Sequence, residues 1–429
     1  MATTIVALAV LLGGGTAAQA QARHHTTSQG VFRRVFPHGT TTTVKPTTTT
    51  VLPTTTTVPP TTTTIPPTTT TTIPPPPGGS ILFNAVEQLG LPGPVTEASA
   101  VSLARSSSFL TTTLGRVRSF EPYLAEMRAD NPNLKIIVYI NGAFAQKSQG
   151  STYPASFYAH DAAGNKIQSN SYGNYLMDVT AGSGWIADRV TTCANVVAQY
   201  HVDGCFLDVL GYGGVSPGYV TSLPVHPGTT TPWTPAQWIQ ATNVLSQAVR
   251  AGIGGGWVIA NGLDNGTAFA GSGRMPGTAN LLPGITGADA ELFPNGNWLD
   301  NVQMLQTAGS VIQTNTKFNS SDQWHRFTLA TFAVGTNGLD SYFFEGHGSD
   351  NSDAPDTYQA QAAALGTFTG PMTQLSGGAF GRNYSNGMVV ANPTAGSVTV
   401  NFAAAMTNLN GLVVTSEVLA PQSGDLLHA

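Results

Sequence analysis

The chain has 429 residues, too many for one small module and enough for a large barrel-type domain with additions. Only 9% of the residues are charged, against roughly 25% in an average soluble domain, and Gly, Thr, Ser and Asn fill the gap. A net charge of -5 offers no basic surface for nucleic acid, and two cysteines exclude a disulfide-knit scaffold and a four-cysteine zinc site.

Residues 1–22 read as an export signal. Ile5 to Leu12 is apolar and Ala18-Gln19-Ala20 fits a small-x-small cleavage pattern, although Met1 to Thr4 carries no basic residue. Residues 23–79 read as a linker, almost purely Thr and Pro from Thr40 to Pro77. Prolines without backbone donors and β-branched threonines favour an extended, solvated chain that builds no core. Such a stretch is a spacer, and its threonines are acceptors for O-glycosylation. No other apolar run approaches the ~20 residues of a bilayer span. The expectation is a secreted or cell-surface protein without a membrane span after processing, acting as a monomer.

Ordered sequence begins near Ile81. Apolar runs of strand length alternate with helical patterns eight times before residue 371. The strand candidates are Val101–Ser106, Lys135–Asn141, Asn174–Asp178, Gly204–Asp208, Gly256–Asn261, Gly284–Glu291, Ser310–Asn315 and Leu339–Glu345. The clearest helix follows Thr234, Pro235 and Gln237, an N-cap, N1 proline and capping-box partner. Trp238, Ala241, Leu245 and Val249 then form one stripe, and Gly252 closes it. Strand and helix alternating at this spacing predict an α/β fold, a (β/α)8 TIM barrel over residues 80–371. Beyond it, Ala379–Tyr384 and Met388–Asn392 flank a Ser385-Asn386-Gly387 turn, and Ser397–Phe402 and Leu412–Val418 add strands. Residues 372–429 therefore read as a small antiparallel β-domain.

Ile186, Val190, Cys193 and Val197 share one helical face, and Cys205 has the opposite strand parity to Asp208, so it faces the helix layer. A Cys193–Cys205 disulfide and a pair of buried thiols both fit that placement.

In a barrel of this kind the inward residues at the C-terminal strand ends meet the substrate. Those positions hold Tyr139, Asn141, Asp178, Asp208, Asn261, Asp289, Glu291, Asn315 and Glu345, with Tyr172, Tyr175, Tyr212, Trp233, Trp298 and Tyr342 close in sequence. Carboxylates for acid–base work, amides for hydroxyls and aromatic faces for sugar rings are the groups glycoside cleavage needs. Asp208 and Glu291, after strands 4 and 6, are the catalytic candidates. Asp178, Tyr139, Asn141, Tyr212, Asn261, Asp289, Trp233 and Glu345 are the substrate-binding candidates. Asp208, beside amides and hydroxyls, is expected to stay ionised, whereas Ala290, Leu292 and Phe293 around Glu291 favour its protonated form. The long Gly-rich loop from Val209 to Trp233 is read as a substrate-binding lid.

Other chemistries fit less well. Gly214-Val215-Ser216-Pro217-Gly218 has the spacing of a nucleophile elbow, but Pro217 and a long loop follow where a helix is needed. Gly252 to Gly256 precedes a strand, so it is a turn and not a phosphate cradle. His160, His201, His226, His325 and His347 lack paired zinc spacing, and Asp350, Asp353 and Asp356 read as a polar turn before a calcium loop. No metal or other cofactor is called for.

Asn174–Asp178, Asp203-Gly204-Cys205-Phe206-Leu207-Asp208 and Trp257–Asn261-Gly262 together resemble the glycosyl-hydrolase-like family 15. More distantly, they are similar to polygalactosaminidase-type and α-galactosidase-type barrels. The resemblance covers roughly residues 95–370 and implies a TIM barrel with an acidic nucleophile after strand 4 and an acid/base after strand 6, where Asp208 and Glu291 fall. Asp289-Ala290-Glu291 offers two acids for the second role. The expected activity is hydrolysis of a carbohydrate O-glycosidic bond by two carboxylates with retention; the alternative is a non-catalytic glycan-binding barrel on a stalk.

Overall fold

The computed structural model describes residues 79–87, 94–271, 286–316, 321–345 and 357–429, with backbone alone at 84–87 and 345. The export signal, nearly all of the Thr/Pro linker and the Asp350, Asp353 and Asp356 turn lie outside the described residues. The rest is a barrel followed by an antiparallel sheet. The barrel strands are β1 (Asn84–Glu87), β2 (Phe109–Thr113), β3 (Lys135–Asn141), β4 (Gly204–Asp208), β5 (Trp257–Asn261), β6 (Gly287–Ala290), β7 (Val311–Thr316) and β8 (Ser341–Glu345). They pair in parallel in that order. The ring closes where Phe83 bridges Phe343 and the Phe343 amide donates to the Leu82 carbonyl at 2.9 Å.

Side-chain alternation divides each strand between two environments. Phe109, Ile137, Phe206, Ile259, Val311 and Tyr342 fill the barrel interior. Val138, Cys205, Leu207, Val258 and Ala260 face outward and pack under the helices. Cys205 meets α1 (Gly184–Tyr200) there, joined to Cys193 by a disulfide with its Cα atoms 6.2 Å apart. α2 (Pro235–Gly252) begins with Thr234 and Gln237 capping each other and buries Trp238, Leu245 and Val249.

Two expected strands are corrected. Val101–Ser106 belongs to a helix, Glu97–Ser106: Thr96 and Ser99 form a capping box, and Ala100, Leu103 and Ala104 make a buried face. Asn174–Asp178 yields only Tyr175–Leu176, paired antiparallel with Phe144–Ala145 in an insertion beside the barrel. The barrel strands in their stead are Asn84–Glu87 and the Thr-rich Phe109–Thr113. The two errors offset, so Asp208 still ends the fourth strand and Glu291 still follows the sixth.

The second sheet contains Thr373–Gln374, Phe380–Tyr384, Gly387–Asn392, Val398–Thr407, Val413–Leu419 and Ser423–His428, the last inserted between the third and fourth. It packs on the barrel through the helix Asp322–Gly335, which is buried all along Phe327–Gly335 because it has protein on both sides. Gly424 permits the approach, since a Cβ there would lie 2.4 Å from the Ala330 Cβ. Arg382, buried under that helix, donates to the Val334 and Thr336 carbonyls and lies over the Phe368 ring. Burial lowers its pKa to about 10. Among the described residues no helix is long and apolar enough to cross a membrane.

Candidate active site

The polar residues of the barrel collect at the C-terminal ends of the strands, above the apolar filling. Strand register brings Asn141 level with Asp208, and Asn261 level with Asp289. Glu291, one inward step beyond Asp289, stands above that layer. Together these residues line a cavity of about 710 Å³.

Asp208 is the most constrained group in it. The Tyr139 hydroxyl donates to Oδ2, and the Asn261 amide donates to Oδ1 at 2.8 Å. The same amide nitrogen donates to Glu291 Oε2 at 3.3 Å. Because both oxygens accept from one nitrogen, they can lie no more than about 6 Å apart. Asn261 is thus a bridge that sets the spacing of both carboxylates.

Opposing influences act on Asp208. The Asp208 pKa is raised, first by burial; the Tyr139 bond lowers it and the nearby negative charge of Glu291 raises it again. Its neighbours do not abolish the cost of burying the anion; they offset part of it. Burial and the Asp208 carboxylate hold the Tyr139 hydroxyl far above the usual phenol range, so it remains a donor. The apolar surroundings expected of Glu291 are partial: Ala290 and Phe293 are buried, but Leu292 is exposed.

The chain leaves Asp208 sharply. Val209 has φ of 56°, a left-handed conformation that costs a β-branched residue about 1–3 kcal/mol. The turn is held as the Asp208 carbonyl accepts from Gly142 N at 2.9 Å and Leu210 N donates to the Asn261 carbonyl at 2.8 Å. Strain at this point sets the direction of the acid-bearing strand end.

Of the expected binding residues, Tyr139, Asn141, Asn261 and Asp289 line the cavity. Glu345 ends β8, and its side chain lies outside the described residues. Three others lie elsewhere. Asp178 Oδ1 accepts from Thr180 N at 2.8 Å and its carbonyl from Ser183 Oγ at 2.7 Å, forming the turn into α1. Trp233 stacks on His226 with ring centroids 4.1 Å apart and, with Asp178, borders a separate cavity of about 460 Å³. Tyr212 opens a short 3-10 turn and packs on the barrel's outer core. All three follow from reading Asn174–Asp178 as a barrel strand or from proximity along the chain.

Among the wall residues that escaped the sequence reading are two titratable ones. Tyr219, from the 209–233 loop, has its pKa pushed up to about 12 by burial and by the negative charge of Asp208. Asp264 sits at the rim with φ of 53°, its pKa raised by partial burial and then by Glu291. Neither ends a strand, so no periodicity marks it. Asn315 completes the floor: it is 7% exposed, and its Oδ1 has no hydrogen-bond partner among the described residues. A buried acceptor of this kind suits a substrate hydroxyl. Among the described residues no three His, Cys, Asp or Glu side chains are grouped to hold a metal ion.

No protein-family model matches the chain, and no curated protein is similar to it. The resemblance to glycosyl-hydrolase-like family 15 therefore rests on the motifs alone. Among solved structures, a noncanonic maltogenic α-amylase from Thermotoga neapolitana aligns with 82% of this chain and 98% of its own at 10% identity and a TM-score of 0.46. A family 30 subfamily 8 xylanase from Clostridium acetobutylicum aligns over 82% and 97% at 12% identity and a TM-score of 0.43. Likenesses of this size say nothing about activity.

Proposed function

We propose that the protein is a retaining glycoside hydrolase working outside the cytosol, with Asp208 as nucleophile and Glu291 as general acid/base. The observation that carries this reading is the Asn261 bridge. It keeps the nearest oxygens of the two carboxylates within about 6 Å, which admits the roughly 5–5.5 Å of a double-displacement pair and falls short of the roughly 6.5–9.5 Å that leaves room for an inverting water.

In the first step Asp208 attacks the anomeric carbon while Glu291 gives its proton to the departing glycosidic oxygen. In the second, Glu291 takes a proton from water, which attacks the same carbon and frees Asp208. Tyr139 and Asn261 hold the Asp208 carboxylate in place before and after bond formation. Asn315 and Asn141 offer amides to the sugar hydroxyls, and Tyr219 adds an aromatic wall. The Cys193–Cys205 disulfide and the Thr/Pro segment support export.

The test is turnover of α- and β-linked aryl glycosides and oligosaccharides by the full chain and its Asp208→Asn and Glu291→Gln variants. Activity in the parent and a loss of about 10³-fold or more in each folded variant is the expected result. Glycan binding without hydrolysis by the parent would move the assignment to a binding module.

A further inference from the structure

The site cavity does not end at Asp208. It shares Tyr139, Asn141, Tyr172 and Asn174 with a second chamber of about 1070 Å³. That chamber lies over the ends of β2 and β3, beneath the insertion that carries Lys147, Gln149 and Tyr153. Pockets of about 300–1,000 Å³ enclose a whole drug-sized ligand, whereas a hexose has only about a dozen non-hydrogen atoms. The two chambers together therefore have room for several sugars.

Their walls are built. Arg189, only 8% exposed, pairs with Asp188, lies 4.0 Å over the Trp185 ring and donates to the Asn141 carbonyl at 3.3 Å. It ties the chamber wall to the strand end beside Asp208. At the shared rim stands Tyr172, 68% exposed. Its turn is held by Gly173 N donating to the Ser169 carbonyl at 2.9 Å and Asn170 Nδ2 donating to the Gly218 carbonyl at 2.8 Å. An aromatic ring left open to water on an ordered turn, at the rim shared by the two chambers, is a platform for the C–H face of a sugar.

Position decides which part of the substrate lies there. The chamber adjoins β2 and β3, on the Asp208 side, while Glu291 follows β6. In a double displacement the departing oxygen sits against the acid/base, so the side away from Glu291 holds the part of the substrate that stays on the nucleophile. We propose that the second chamber is a glycone-side binding site for at least one further sugar, with Tyr172 as its stacking platform, so that cleavage releases a disaccharide or longer. The assignment rests on the roles proposed above for Asp208 and Glu291.

The experiment uses the full chain, with end-labelled ladders of one to six units of α-1,4-linked glucose, β-1,4-linked glucose and α-1,4-linked galactosamine. Product lengths are read with the parent. Binding is read by calorimetry with Asp208→Asn, alone and combined with Tyr172→Ala. Affinity is expected to rise by about two- to tenfold from one unit to three, to lose most of that rise in Tyr172→Ala, and no monosaccharide is expected as first product. Equal affinity for one and three units, a rise that Tyr172→Ala leaves intact, a monosaccharide as first product, or no binding to any ladder would overturn the proposal. Length-dependent binding without hydrolysis would instead remove the catalytic reading and leave the chamber assigned as an extended glycan site.

Discussion

Replacing Tyr139 by Phe isolates the hydroxyl that faces Asp208. The ring remains stacked on Phe206 at a centroid distance of 5.8 Å, so the barrel interior keeps its packing. What is lost is a hydrogen bond to a carboxylate that burial already disfavours as an anion. Hydrogen bonds to charged groups contribute about 1.5–3 kcal/mol. At about 1.4 kcal/mol per factor of ten, the ionised fraction of Asp208 on the acid side of its titration falls about ten- to hundredfold. A nucleophile must be ionised, so the acidic limb of the kcat/KM profile moves to higher pH, while the high-pH limb stays where it is. The assay is a pH–rate profile of the parent and Tyr139→Phe on one glycoside, with circular dichroism to verify folding. An unmoved acidic limb, or one displaced to lower pH, would refute the claim that Tyr139 stabilises the Asp208 anion.

Three further outcomes follow from the packing. The Cys193–Cys205 bridge closes a loop with a sequence separation of 12, so the double Cys→Ser variant should lose about 3 kcal/mol, read by urea denaturation. Glu417 has its pKa raised to about 8 by burial and by Asp425. The folded protein holds that proton more tightly than the unfolded chain, whose carboxyl titrates near 4.5. Glu417 therefore costs no stability below pH 4.5 and costs progressively more as pH rises toward 8. Thermal unfolding across that window should show this decline in the parent and a flatter profile in Glu417→Gln. A Cβ on Gly204 would lie 1.8 Å from the Trp257 carbonyl oxygen. Gly204→Ala should thus destabilise by about 3 kcal/mol or more, because backbone and not a movable side chain blocks the space; a normal melting temperature would contradict that.

Much of the barrel was legible because local pattern and tertiary role coincide there. Lys135–Asn141 and Gly204–Asp208 show alternation and sharp ends in the sequence and occupy those bounds in the fold. Strand parity alone put Cys205 toward the helices and Asp208 toward the interior. The failures have equally local causes. Val101 to Ser106 carries apolar residues at spacings that suit either period, and the capping pair Thr96 and Ser99 decides for helix. Phe109–Thr113 has too few apolar residues to show alternation, yet its threonines suit a strand, where β-branching is favoured. Tyr219 and Asp264 reach the cavity from loops whose course depends on contacts distant in sequence, such as the Ser169–Val220 bridge. The Asp208 burial that raises its pKa is likewise a product of several loops converging, which neighbours along the chain do not reveal.

The central claim is that Asp208 forms a covalent bond to the sugar while Glu291 assists. The most direct measurement is mass spectrometry of the protein after incubation with 2-deoxy-2-fluoro glycosyl fluorides, followed by peptide mapping. The account predicts one sugar adduct, carried on Asp208, slowly released from the parent and absent from Asp208→Asn. An adduct on another carboxylate, or turnover of the parent substrate with inversion of the anomeric centre, would contradict it.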